Sequence, residues 1–387
     1  VVSALRRLTL LILIPHTLYS RRSPYDILSF MRIFITGAAG YVGAMLADQF
    51  SKRDEVTEII ALDKDQMPEL LRGNKKIFWV NANMSDRTWQ DTVSKRRPDI
   101  VIHAAWQIRE MYGNQKTQWK WNVEGSDDIF AFAFGNPFVK KLIYFSSVSS
   151  YGAFSTNTIT HRFTEDEPFL ENTYLYGAEK KAVEERLRAR YESAKKERVY
   201  CPQVFIVRPA AITGPRGRFA MENRFGLQAA LSGHLRTTFM YRVISLLVSF
   251  VPATALWCRQ FVHEDDVTDI VSLFSFSDLA GQYEVFNICP PGDPVRAHDM
   301  ASAVGKKTLP LKPWMVRLAF FFSWHATRGR VPTSRGAWKF YSYPVVVDGS
   351  KITRQLGFRY ACDSKDAFNY TFGRYEACVP KEHRRIK

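Results

Sequence analysis

Cysteine is scarce in this 387-residue sequence, with only Cys201, Cys258, Cys289, Cys362 and Cys378, and no C-x-x-C pair among them. An odd, scattered set builds neither a disulfide framework nor a zinc site, so reduced thiols in a cytoplasmic protein are expected, with no metal. Long apolar runs are missing too. LTLLILI at 8–14 is about seven residues, where a membrane span needs roughly twenty. No small-x-small site follows it, as a cleaved leader would require. Acidic side chains are the minority charge, 38 against 54 Lys and Arg, which leaves a net charge of +16. The plain reading is a solvated basic surface; the sharper one is a preference for anionic substrates or a peripheral contact with anionic membranes. No nucleic-acid-binding motif accompanies the charge, so no nucleic-acid partner is expected. Repeats and low-complexity tracts are also lacking. What is plentiful is core material: 46% apolar residues, with 28 Phe and 17 Tyr, which excludes a disordered chain.

The organised pattern begins at Met31, where MRIFITGAAG starts a strand at once. Residues 1–30, with Arg6-Arg7 and Arg21-Arg22 around the short apolar run, are read as an extension outside the fold. They are also compatible with translation from upstream of the true start, and a peripheral membrane anchor is the alternative. From Met31 short apolar runs alternate with amphipathic stretches. Strands are expected at 32–37, 58–63, 76–82, 99–106, 140–147 and 203–209, and helices at 41–53, 87–96, 117–134 and 174–195. That alternation defines an α/β fold, a doubly wound parallel sheet of Rossmann type covered on both faces. After Pro209 the rhythm breaks. Segments 210–257 and 290–375 are read as a smaller C-terminal substrate domain, 258–289 as a return to the 31–209 sheet, and 376–387 as a basic tail. Strand-like runs are expected at 261–267 and 284–288. The apolar stretches 243–257 and 314–324 are expected as buried helices, with a lipid-like substrate channel or a membrane-surface contact as the alternative.

TGAAGYVG (36–43) follows the first strand and opens the first helix. Glycines at 37, 40 and 43 let the backbone turn tightly and approach a pyrophosphate, and the helix N-terminus supplies free N–H groups. Three spaced glycines alone also serve ordinary turns; the strand-turn-helix setting makes this a dinucleotide site. Its candidate contacts are Gly37, Ala39, Gly40, Tyr41, Val42 and Gly43. Asp63 closes the second strand, where a carboxylate can hold both adenosine ribose hydroxyls and repel the 2′-phosphate of NADP. NAD is therefore the expected cofactor, although Lys64 next door places a cation that tolerates that phosphate.

Tyr176 and Lys180 form Y-x-x-x-K at the start of a long helix, on one face. A free tyrosine has a pKa near 10. A nearby ammonium stabilises phenolate and makes tyrosine a usable base, and the lysine can also hold the nicotinamide ribose. The pair follows SSVSSYG (146–152), at the carboxyl end of the fifth strand, where ligands bind in such sheets. That serine cluster offers a hydroxyl to the reacting oxygen.

The order TGAAGYVG, Asp63, HAAW, WNVEGS, FSSVSSYG, YGAEK, RPAAITGP and FVHEDDV resembles the extended short-chain dehydrogenases/reductases, the NAD-dependent epimerase/dehydratase family, from Met31 to about Phe358. The resemblance implies that Tyr176 is the acid/base, Lys180 its partner and Ser147 the catalytic hydroxyl, with Ser146 and Ser149 as neighbours easily mistaken for it. It implies that Asn122 supports the site, that Ala104, Ala105 and Trp106 lie along NAD, and that Arg208-Pro209 begin the segment beside the nicotinamide. Asn83, with Met84 beside it, stands where the family usually has an adenine-binding aspartate. Trp106 is bulky where many relatives are small, and Ser147-Val148-Ser149 replaces the Thr-Asp-Glu of the dehydratase branch. The expected function is NAD-dependent epimerisation or dehydrogenation of a secondary alcohol or ketone in a small molecule, a nucleotide sugar first. Alternatives are a hydroxysteroid-like or lipid-directed dehydrogenase, and a dinucleotide-binding regulatory or scaffold protein without turnover. A homodimer through the helices next to the site is also implied.

Other polar residues have plainer readings. His103 is expected to be structural, and His263, Asp265 and Asp266 to cap a helix rather than hold a metal. Glu165, Asp166 and Glu167 are read as a solvated loop. Arg216 and Arg218 are either exposed or turned toward an anionic substrate.

Overall fold

The computed structural model describes residues 30–220, 250–303 and 305–381. Most of the expected N-terminal extension, most of segment 210–257 including residues 243–249 of its apolar stretch, and the end of the basic tail lie outside the described residues.

The first half alternates strand and helix: β1 (Met31–Thr36), α1 (Tyr41–Ser51), β2 (Val56–Asp63), β3 (Ile77–Asn81), α2 (Gln90–Arg96), β4 (Ile100–His103), α3 (Gln115–Trp119), α4 (Gly125–Gly135), β5 (Lys141–Phe145), α5 (Leu175–Glu197) and β6 (Gln203–Pro209). A π-helical turn, Lys120–Glu124, joins α3 to α4. The second half adds β7 (Ala211–Thr213), β8 (Phe250–Ala253), β9 (Cys258–Arg259), β10 (Phe261–His263), α6 (Glu264–Phe276) and β11 (Tyr283–Ile288). It closes with β12 (Val295–Arg296), α7 (Ala297–Ala303), β13 (Lys307–Pro310), α8 (Pro313–Ala326), α9 (Lys351–Leu356) and α10 (Ser364–Asn369).

Seven strands form one parallel sheet in the order β11-β6-β5-β4-β1-β2-β3, the Rossmann-type arrangement. Its strands are continuous apolar runs because both faces are covered. Along β1, Ile33 and Ile35 enter the core layer that holds Leu46 and Phe50 of α1 and Ile270 and Phe274 of α6. Phe34 points the other way, into the layer with Ile129 of α4 and Val183 and Leu187 of α5. Strand order reverses between β1 and β4, which opens a crevice at their carboxyl ends.

Three expectations need correction. The described end of the apolar stretch 243–257, expected as a buried helix, is not helical: Phe250–Ala253 is strand β8, paired with β13, and Pro252 within it disfavours a helix. Of the strand-like run 261–267 only Phe261–His263 is strand; it pairs with β7 outside the main sheet. The rest begins α6, because the His263 ring accepts from Asp265 N at 3.2 Å and Glu264, Asp265 and Asp266 fill the first turn, where carboxylates complement the helix dipole. The stretch 314–324 is helical as expected, but not buried: within α8 only Val316 and Trp324 are enclosed. No described helix is long and apolar enough to cross a membrane.

Candidate active site

The turn after β1 is built so that nothing larger than glycine fits. Gly37 has φ +74°, and a Cβ there would meet the Ala105 backbone at 2.6 Å. A Cβ on Gly43 would stand 2.2 Å from the Gly37 carbonyl oxygen. Gly40 begins α1 with no side-chain cap, so the helix N-terminus keeps donors for a ligand. Asp63, at the end of β2, accepts from Ala39 N at 2.9 Å and from Asp65 N at 3.0 Å, which pins its carboxylate beside this turn. Burial pushes its pKa up, and those two donors oppose the rise. Lys64 donates to both oxygens of Asp65, at 2.9 and 3.0 Å, so its charge is already engaged.

A cleft of about 1510 Å³ runs from this turn across the ends of β1, β4 and β5. Ordinary small-molecule sites hold about 300–1,000 Å³, so there is room for a dinucleotide and a second ligand. Gly37, Ala39, Gly40, Tyr41, Val42, Gly43, Asp63, Lys64, Asn83, Met84, Ala104, Ala105, Trp106, Asn122 and Pro209 line it, with Ser147 and Tyr176. Lys180 and Arg208 stand behind that lining. Asn83 uses its Oδ1 to cap the turn ahead of Ser85, at 3.1 Å.

Ser147 ends β5 and caps the short turn after it, accepting from Ser149 N at 3.1 Å. Tyr176, in the first turn of α5, is half-buried and shares the cleft wall with Ser147. Burial raises its pKa, and the neighbouring Ser147 hydroxyl works against that rise. Lys180, one turn on, is enclosed: its ammonium donates to the Phe145 carbonyl and lies 3.5 Å from the Trp106 ring centroid and 5.0 Å from that of Tyr144. Burial drives its pKa well down. The Trp106 ring also meets Tyr176 edge-on at 6.4 Å. The resemblance suggested a lysine open to the cofactor; here the bulky Trp106 covers it.

A buried amide–carboxylate network, which sequence reading missed, braces the same corner. Asn122, on the π-helical turn, donates to Glu179 at 2.7 Å and to the Gln107 carbonyl at 3.0 Å, and accepts from Gln107 N at 2.8 Å. Gln118 donates to Glu179 at 3.1 Å and accepts from Met111 N at 2.8 Å. The segment after β4 is thereby tied to the catalytic helix. Burial raises the Glu179 pKa to about 7, against the pull of Asn122 and Gln118. The only sequence signal was a carboxylate beside Lys180 in YGAEK.

Arg208 is a second departure. It pairs with Glu184 of α5 and donates to the Tyr151 hydroxyl at 2.7 Å and the Glu165 carbonyl at 3.1 Å. Its side chain therefore locks β6 to α5. Glu165, read as solvated, accepts from Asn287 N at 2.8 Å. His103 bridges Thr36 at 2.7 Å and Ser126 at 2.8 Å, with its pKa lowered to about 3 by burial and by Lys180. Arg216 and Arg218 are not exposed. Arg218 donates to Thr213 at 3.0 Å and to the carbonyls of Ala367 and Phe368. Arg216 lines the cleft, and its buried Nε has no hydrogen-bond partner among the described residues. Glu264, also unanticipated, accepts from the Tyr41 hydroxyl and from Arg216 N and Gly217 N, at 2.9 and 3.1 Å, joining the glycine turn to the second half of the chain.

These features fit a dinucleotide: a glycine cradle at a helix N-terminus, an anchored carboxylate after β2, and the cationic Arg216 in the cleft lining. They define a Rossmann-type nucleotide-dependent enzyme site with a Ser/Tyr pair. The model of the "NAD dependent epimerase/dehydratase family" matches residues 33–289, and the chain belongs to that family, whose cofactor is NAD. Among curated proteins it is 25% identical over 210 residues to dTDP-D-glucose 4,6-dehydratase of Dictyostelium discoideum, covering 49% of this chain and 46% of that one. It is 26% identical over 197 residues to the decarboxylating sterol-4-alpha-carboxylate 3-dehydrogenase of Candida albicans, covering 49% and 53%. The chain thus spans about half the length of these relatives. Its fold matches WbmG of Bordetella bronchiseptica, solved with NAD and UDP, at TM-score 0.63 and 21% identity over 90% of this chain and 94% of that one. It also matches UDP-glucose 4-epimerase of Thermotoga maritima, solved with UDP-glucose, at TM-score 0.63 and 19% identity over 88% and 96%.

Proposed function

We propose that the chain is a nucleotide-sugar epimerase or dehydrogenase that works by oxidation at a secondary carbinol. The observation that carries this reading is that Ser147 and Tyr176 line the same cleft beyond the carboxyl end of β5, and that this cleft is roomy enough for NAD and a second nucleotide. Bound NAD supplies hydride acceptance and return at its nicotinamide. The protein residues manage the proton and the oxygen. Tyr176 takes the hydroxyl proton and gives it back, and Ser147 hydrogen-bonds the reacting oxygen. Gly37, Gly40 and Gly43 let the pyrophosphate approach the backbone, Arg216 brings a positive charge to the cleft wall, and Asp63 receives the adenosine ribose. Segments 210–257 and 290–375 would contribute the substrate side, since Ala211 and Ile212 of the first and Phe340 and Tyr343 of the second line the cleft.

Dehydration has little support: Ser147, Val148 and Ser149 line the cleft and bring no carboxylate to the position that the dehydratase branch fills with aspartate and glutamate. The test is incubation with NAD and a panel of UDP- and dTDP-sugars, following NADH absorbance and product isomers. An isomer without NADH means epimerisation, and accumulating NADH means net oxidation. NAD binding with no turnover of any nucleotide sugar would overturn the substrate class.

A further inference from the structure

Helix α8 has apolar residues on both sides, and among the described residues only one side is covered. Inward, Val316 and Trp324 are buried, Trp324 meets Tyr112 at 5.4 Å, and Phe320 meets Tyr341 at 5.1 Å. Outward, Trp314, Leu318, Phe321 and Phe322 follow i, i+4, i+7, i+8 spacing and share one face. Trp314, Phe321 and Phe322 are 62%, 58% and 63% exposed. A surface helix ordinarily turns polar side chains to water, so such a face calls for an occupant.

Charge says which occupant. Residues 300–347 contain eight Lys and Arg and no Asp or Glu. Lys312, Arg317, Arg328 and Arg330 are exposed at or near the helix ends, and none forms an ion pair with a described carboxylate. A second copy of the chain docking here about a two-fold axis would set this cationic stretch against itself. An anionic bilayer accepts both features, taking rings into the headgroup–acyl boundary and neutralising the cations.

We propose that α8 is a peripheral docking helix for an anionic lipid surface. The rings at 314, 321 and 322 enter the interface, and Lys312, Arg317, Arg328 and Arg330 face lipid phosphates and carboxylates. Docking sets one wall of the cleft at the membrane, because Tyr341, which packs on the helix, adjoins Phe340 of the cleft lining.

Flotation of the full chain with phosphatidylcholine vesicles, with and without phosphatidylserine, tests this. The protein should float with the anionic vesicles and stay behind with neutral ones. Phe321→Ser with Phe322→Ser should weaken partitioning by at least about tenfold, the scale set by keeping two rings in water. Lys312→Glu with Arg317→Glu should abolish the preference for phosphatidylserine. NAD titration checks that the variants remain folded, since none of these side chains lines the cleft. Three results would overturn the proposal: no flotation of the wild type, flotation unchanged by both pairs of substitutions, or a ring-substituted protein that changes its sedimentation mass while the wild type ignores vesicles. The second would move binding to another segment of the chain, and the third would assign the face to a second copy.

Discussion

The Lys180 ammonium lies 3.5 Å from the Trp106 ring centroid and is tied to the Phe145 carbonyl, so the lysine expected to assist Tyr176 is held under an indole. Trp106→Leu exposes the Lys180 nitrogen to the cleft, where solvation favours its charged form and that charge favours the Tyr176 phenolate. The acid limb of the kcat/KM–pH profile should move to lower pH, and Trp106→Phe, which retains a ring, should move it less. The lost ring also costs about 2–4 kcal/mol of stability, visible in a thermal melt.

Gly43→Ala places a methyl 2.2 Å from the Gly37 carbonyl, a backbone atom that cannot step aside. The turn must open, and with it the pyrophosphate cradle. NAD affinity measured by fluorescence titration should fall by at least about a hundredfold, whereas Gly→Ala at an exposed helical position ordinarily stabilises the helix.

Asp63 holds its charge where the ribose is expected, while the Lys64 charge is spent on Asp65. Asp63→Ser removes the repulsion toward a 2′-phosphate. NADPH binding should improve relative to NADH by about tenfold, read as a ratio of dissociation constants.

Glu179 holds its proton to about pH 7 in the fold, against 4.5 for an ordinary glutamate. Between those values the unfolded chain releases a proton that the folded chain keeps, so this group's contribution to stability is lost as pH rises across the window. The loss amounts to about 3 kcal/mol at most. Glu179→Gln can still accept from Asn122 and Gln118 but does not titrate, so denaturant midpoints for the variant should overtake the wild type between pH 5 and pH 8, values chosen to span roughly that window.

The sheet was legible because buried parallel strands must be continuous apolar runs, and RIFIT, DIVIH, KLIYF and QVFIV have few other readings. The glycine turn was legible because its spacing answers a steric demand between Gly37 and Gly43. What escaped was the direction of individual polar side chains. Motif position brought Lys180 and Arg208 to the cleft edge, but Trp106 covers one and Glu184 captures the other, and both partners lie far away in sequence. In FVHEDDV the helix cap expected of His263, Asp265 and Asp266 is present, and it ends the strand at His263, so the strand expected over the whole run stops short. In 314–324 composition marked a helix, yet apolar residues all round do not reveal which face the body covers.

The central claim is that Tyr176 carries the proton of a redox step on a nucleotide sugar. The direct measurement is turnover by Tyr176→Phe against the wild type, with NAD and whichever nucleotide sugar the panel identifies, alongside an NAD titration of both. The account predicts a loss of about 10²–10⁴-fold in kcat with NAD affinity preserved. Turnover at the wild-type rate in the phenylalanine variant would contradict it.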